Sequence, residues 1–164
     1  MTNQGADDQK FVHLLYQLNL TMEEMHINMV AVLIAVVANF ILGFIWYTPL
    51  FGKAWAKENG FDPSIKPASG ELAKGMIIMV IGNFLMAYVF AHNIAAWGYV
   101  PGGQEMSPID KIIPATIFTW LGFYVPVDLG AVAWEKKSWK LFAINTGYHF
   151  AMLLLAAVIL VYMN

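Results

Sequence analysis

Residues 121–149 read LGFYVPVDLGAVAWEKKSWKLFAINTGYH. They form the end of one apolar run, a short basic turn and the start of the next run. Asp128 is the only carboxylate inside any long apolar run of the chain; it lies eight positions before Lys136, and His149 lies nine positions after Lys140. With those lysines at the water boundary and a helical rise of about 1.5 Å per residue, both side chains sit roughly 12–14 Å deep. Two helices joined by so short a turn are antiparallel neighbours, so the carboxylate and the imidazole can meet.

The rest of the chain fits a membrane setting. Of its 164 residues, 59% are hydrophobic and only 12% charged, against about 25% charged in a typical soluble domain. Four runs, Ile27–Leu50, Gly75–Val100, Ile112–Trp134 and Leu141–Asn164, are each long enough to cross a hydrocarbon core that needs roughly 20 residues. The expected fold is an all-α membrane protein. It divides into an N-terminal amphipathic segment, 1–26, and a four-helix transmembrane domain, 27–164. The first apolar run begins too late, and after too acidic a tail, for a cleaved signal peptide.

There is no cysteine, which excludes disulfides and thiolate ligands, and a net charge of −2 gives no reason to expect nucleic acid. Lys53, Lys57, Lys66, Lys74, Lys136, Lys137 and Lys140 fall on one side of a four-span topology, and only Lys10 and Lys111 on the other. The positive-inside bias puts the seven-lysine side in the cytoplasm and both termini outside.

In the N-terminal segment Phe11, Leu14, Leu15 and Leu18 share one helical face. They suit a surface-lying helix or, alternatively, a partner-binding arm. Thr21 with Glu24 has capping-box spacing and Leu20 with Met25 that of a hydrophobic staple, so the first spanning helix is expected to start near Met22. Small residues recur every fourth position at Ala31, Ala35, Asn39 and Gly43, at Ala87, Ala91 and Ala95, and at Ala143, Gly147 and Ala151. Such stripes let helices approach closely in lipid. Three of them exceed what one small bundle can use, so a homo-oligomer, most simply a dimer, is expected. Trp46 and Tyr47 have the position of an interfacial aromatic belt. The loop from Phe51 to Lys74, with Gly60, Pro63, Pro67 and Gly70, is expected to be irregular. Ser107-Pro108 is a helix start. Pro126 cannot bond the Gly122 carbonyl, which predicts a kink or a local water beside Asp128.

The two halves resemble each other. Leu42-Gly43-Phe44 precedes Ala54-Trp55 and Lys57 as Leu121-Gly122-Phe123 precedes Ala133-Trp134 and Lys136, and Lys74 precedes Asn83-Phe84 as Lys140 precedes His149-Phe150. This predicts two similar hairpins in parallel-repeat arrangement. It puts Trp46, Tyr47, Asn83, Asp128, Tyr148 and His149 in one layer, with Asn39 and Tyr124 deeper.

The segments Asn39-Phe-Ile-Leu-Gly43-Phe-Ile-Trp46-Tyr47-Thr-Pro49-Leu-Phe-Gly52-Lys-Ala-Trp55, Trp120-Leu-Gly122-Phe and Trp139-Lys-Leu-Phe-Ala-Ile144-Asn145-Thr-Gly147-Tyr148-His149 resemble those of the bacterial membrane proteins of domain-of-unknown-function family 1761. The resemblance runs from about Asn28 to the C-terminus. It implies a small four-span protein of a bacterial cytoplasmic (inner) membrane and no established activity.

A carboxylate within a span is costly unless paired, and by default it marks a site or pathway. The candidate ligand or proton site comprises Asp128, His149, Asn145, Tyr124, Asn83, Tyr148, Asn39, Trp46 and Tyr47, lining a small cavity open to the cytoplasm. It would bind or carry a small polar solute or protons. The competing reading is an Asp–His hydrogen bond that only locks two helices, in a chain that serves as accessory subunit of a larger membrane complex. No nucleophile–base pattern or phosphate loop is present, so no enzyme is expected. No cofactor or metal is expected either, because His92 and His149 differ in depth by roughly 13 Å, too much for one haem.

Overall fold

The computed structural model describes residues 9–10, 12–13, 25–62 and 68–163. The capping box at Thr21 and Glu24 and the apolar face of Phe11, Leu14, Leu15 and Leu18 lie outside these. The described residues are all-helical, with no strand. Helix α1 is Met29–Ile45 and runs into a π-helical turn, Trp46–Leu50. A short helix α2, Gly52–Asn59, precedes the long α3, Ser69–Ala96. Helix α4, Pro108–Thr119, continues through a second π turn, Trp120–Tyr124, into α5, Val125–Trp134. Helix α6 is Trp139–Tyr162. Among the described residues, four helical stretches are long and apolar enough to cross a membrane: Met29–Leu50, Ser69–Tyr99, Pro108–Trp134 and Trp139–Tyr162.

Two boundaries differ from the sequence reading. Residues 25–28 are not helical, and α1 starts at Met29 rather than near Met22. Its cap is Asn28, whose Oδ1 accepts from the N–H groups of Val30 and Ala31, while Nδ2 donates to the Met163 carbonyl at 2.6 Å. One amide thus caps the first span and ties it to the end of the last. The second difference is in the Phe51–Lys74 loop, which contains α2 and the first turns of α3. Helix α2 ends where Gly60 takes a left-handed φ of 71°, with Phe61 N–H donating to Ala56 O and Gly60 N–H to Lys57 O. That closes a Schellman motif, in which glycine avoids the penalty a side chain would incur. Ser107 caps α4 with Pro108 in its first turn, as the sequence indicates.

Helix α6 is the axis of the bundle. It packs against α1, α4 and α5, and more lightly against α3, while α3 packs chiefly on α1. Much of the small stripes is used within this one bundle. Ala31 and Ala91 face each other across α1 and α3. The same antiparallel step of four residues carries Ala35 toward Ala87 and Asn39 toward Asn83, and all six are buried. Gly43 lies against Tyr148 and Gly147 against the Trp46 ring. Close approach within the chain accounts for these positions, while Ala143 of the third stripe is exposed. The lysine-proximal part of α3 differs: residues 69–82 are exposed on every face.

At the lysine-rich end Ser138 caps α6 by accepting from Leu141 N–H. Its hydroxyl donates to Glu58 Oε2 at 2.6 Å, and Lys140 Nζ lies 3.6 Å from Glu58 Oε1. These contacts dock α2 onto the start of α6. The Ser138 hydroxyl, then the Lys140 ammonium, hold the Glu58 carboxyl below its ordinary pKa.

Candidate functional site

The two π turns set the site. Each leaves an N–H bonded five residues back, Phe51 to Trp46 and Val125 to Trp120. The second turn takes the place of the kink expected at Pro126. A proline ring collides with the carbonyl four residues earlier, and one wider turn relieves that clash. The extra residue also rotates the remainder of the span by about 100°. Continued from Thr116 at about 3.6 residues per turn, an unbroken α-helix would turn positions near 120, 123 and 127 inward. Instead Phe123 is 71% and Val127 73% exposed, while Tyr124, Asp128 and Ala131 are half-buried. The π turn exchanges Val127 for Asp128 on the inner face.

Asp128 then meets α6. His149 Nδ1 lies 2.9 Å from Asp128 Oδ2, with the side chains 24% and 11% exposed respectively. The Tyr124 ring leans on the imidazole with centroids 4.6 Å apart. No hydrogen bond engages His149 Nε2 among the described residues. With Nδ1–H donated to the carboxylate, Nε2 carries a lone pair when the ring is neutral and a proton when it is charged.

The remaining candidate residues divide into two other groups. Tyr47 Oη donates to Asn145 Oδ1 at 3.3 Å, and Trp46 Nε1 donates to the Ile144 carbonyl at 3.1 Å. Tyr148 packs on Tyr47 and Trp46 at centroid distances of 4.9 and 6.2 Å. Tyr148 and His149 are consecutive, so about 100° of helix separates them, and they point to different neighbours. Asn145 and Tyr148 thus serve the α1 side and give no hydrogen bond to the Asp128–His149 pair. Trp46 and Tyr47 are half-buried and pack on α6. Asn39 and Asn83 are buried on the α1–α3 contact. Both side-chain polar atoms of Asn39, and the hydroxyls of Thr116 and Tyr148, are buried without a hydrogen-bond partner. No hydrogen bond joins the groups of the polar layer expected from depth across α6, where the Tyr148 and His149 rings lie 5.8 Å apart.

A groove of about 490 Å³ lies between α3 and the α4–α5 stretch, with Tyr124 and His149 in its wall. Buried Phe90 and Leu153 line its depth, and exposed Val89, Phe123 and Val127 its rim. Asn93 and Thr119 mark its other end. It runs from the pair away from the lysine-rich end and opens sideways through the spans. The sequence reading expects instead a cavity open toward the lysine side. The groove forms because α3 leans on α1 and leaves α4–α5 to α6.

Trp120 was missing from the sequence-derived site. Its Nε1 donates to the Thr146 carbonyl at 2.8 Å and lies 3.1 Å from Thr146 Oγ1. The available signal was a second tryptophan inside an apolar run of the other half, followed like Trp46 by a proline a few residues on. The apolar groove residues gave no signal, since nothing separates them from ordinary lipid-facing positions. His92 Nδ1 is 2.8 Å from the carbonyl of Tyr88 in its own helix. Among the described residues no three His, Cys, Asp or Glu side chains converge as a metal site would require.

Fold and site together define a class: a small helical protein of membrane-spanning type, with an imidazole in the wall of a lateral groove and a carboxylate paired to it from behind. The model of a family described as "Protein of unknown function (DUF1761)" matches residues 30–161, and the chain belongs to that family. No curated protein and no solved structure matches it.

Proposed function

We propose that the chain binds, and in a membrane carries, a small solute or protons at the Asp128–His149 pair. The observation behind this reading is the 2.9 Å contact at the wall of a 490 Å³ groove, with one ring nitrogen uncommitted. That volume falls within the roughly 300–1,000 Å³ of small-molecule sites. A pair serving only as a lock would gain nothing from a groove beside it. The imidazole would hydrogen-bond a bound solute or take up a carried proton, and Asp128 would fix its tautomer and stabilise its charge. In the proposed setting, the inner membrane, the lysine-rich end faces the cytoplasm and the termini face out. The hairpin duplication is supported by a Trp-headed π turn in each half, although the register of the repeat sets Trp46 opposite Val125 rather than Trp120.

Proteoliposomes with Asp128→Asn and His149→Gln test this. Loss of proton or solute flux per folded molecule is expected; unchanged flux together with reduced folding yield would reduce the pair to a lock. One observation favours a second reading, an accessory subunit. Residues 69–82 of α3 are exposed on all faces, as a helix awaiting a protein neighbour would be. Co-purification of a stoichiometric membrane partner, lost when Ile77 and Ile81 become Ala, would support it.

A further inference from the structure

Resting on that reading, we infer that the ligand is a neutral amphiphile with a hydroxyl head, taken up sideways from the bilayer rather than from water. Three features of the groove lead there. Its rim residues Val89, Phe123 and Val127 are 63%, 71% and 73% exposed and belong to spans, so the mouth meets hydrocarbon. Between positions 119 and 127 the groove follows the helices for roughly 12 Å, the scale of the head-proximal part of a chain. Its walls are apolar apart from Tyr124 and His149 near one end and Asn93 and Thr119 near the other. A soluble polar solute would leave most of that surface unsatisfied.

The head is set by the pair. Asp128 stands behind the imidazole and does not line the groove. With Nδ1–H held by the carboxylate, the neutral ring offers Nε2 as an acceptor, which matches an O–H donor. Tyr124 lines the wall beside the imidazole, 4.6 Å between ring centroids, and its hydroxyl would serve as a second hydrogen-bonding group for the head. An anionic head would face a pair whose net charge is zero or negative, in a low-dielectric wall where repulsion is large. A cationic head would have to displace the imidazole to reach Asp128.

The test uses the full chain in lipid nanodiscs and hexadecanol carrying a mid-chain diazirine. Palmitate and hexadecyltrimethylammonium with the same diazirine serve as comparison. Saturable labelling by the alcohol within 86–93 and 119–127 is expected, weakened roughly tenfold by His149→Phe, the loss for one hydrogen bond of about 1.4 kcal/mol. Val127→Trp, at an exposed rim position, is expected to abolish labelling while leaving the pair intact, and so covers the case in which His149→Phe does not fold. Stronger labelling by palmitate or the ammonium probe overturns the hydroxyl assignment. Unsaturable labelling spread equally over residues 76–81 means plain lipid contact and overturns the site. A photo-crosslinked second copy in the groove overturns the amphiphile in favour of a protein occupant. The parent reading fails separately: it falls if flux is insensitive to Asp128→Asn, and it survives if flux responds while the alcohol does not label.

Discussion

The π turns at Trp46–Leu50 and Trp120–Tyr124 look alike and do different work. Each opens with a tryptophan whose indole N–H reaches a carbonyl of α6, Ile144 in one case and Thr146 in the other. Each has a proline close by, Pro49 within the first turn and Pro126 just after the second. The first turn comes at the end of its span, so its extra residue only redirects the exit into α2. The second lies mid-span, and its extra residue rotates the whole of α5. One local device thus terminates a helix in one place and turns a carboxylate inward in the other.

Inserting an alanine after Leu121 breaks this contrast most directly. With the π turn kept, the further residue rotates α5 by about another 100°, turns Val127 in and Asp128 out, and leaves His149 unpaired. We expect a loss of about 3–5 kcal/mol, the cost of splitting a buried pair, read by denaturant unfolding in mixed micelles. An unchanged midpoint would mean that the π turn does not set the facing of Asp128.

The first turn's side of α6 has its own tight spot. A Cβ on Gly43 would lie 3.0 Å from Tyr148 Oη, so Gly43→Ala is expected to cost about 1–3 kcal/mol by overpacking. Since that hydroxyl has no partner, Tyr148→Phe should relieve the clash at no cost of its own. The double variant is expected near wild-type stability, and failure of the rescue would place the clash elsewhere.

Trp46→Phe and Trp120→Phe compare the two clamps. Each removes an indole hydrogen bond worth about 1 kcal/mol. Trp120, with the Thr146 hydroxyl as a second acceptor, should lose the more. Equal losses would show that the second contact adds nothing.

The smallest effect is in the α2 dock. Glu58 has a folded-state pKa below its ordinary 4.5, so its contribution is complete above that pH and is lost as the pH falls through the lower folded value. Wild-type stability should therefore decline more steeply than that of Glu58→Gln below about pH 4.5. Thermal unfolding at pH 3 to 6 reads the difference, and high salt should shrink it because Lys140 is exposed.

Several features were legible in residues alone. Apolar run length and the fixed helical rise identify four spans and the depth of Asp128 and His149. The four-residue turn 135–138 makes their helices neighbours. The Ser107 cap is local chemistry, visible in a few consecutive residues. By the same measure Asn145, Tyr148 and the Trp46–Tyr47 pair fall into one layer, because depth says nothing about which way a side chain faces. The small stripes show that helices can approach closely, but not that Gly43 and Gly147 make room for aromatic rings.

Position along each helix could thus be read from the chain directly, because rise per residue is nearly constant. Azimuth came only with the packed fold. One additional residue in a mid-span turn shifts every later side chain by about 100°, and no apolar pattern records it when both candidate faces are apolar. The lean of α3 onto α1, which opens the groove, likewise depends on contacts between residues far apart in the chain.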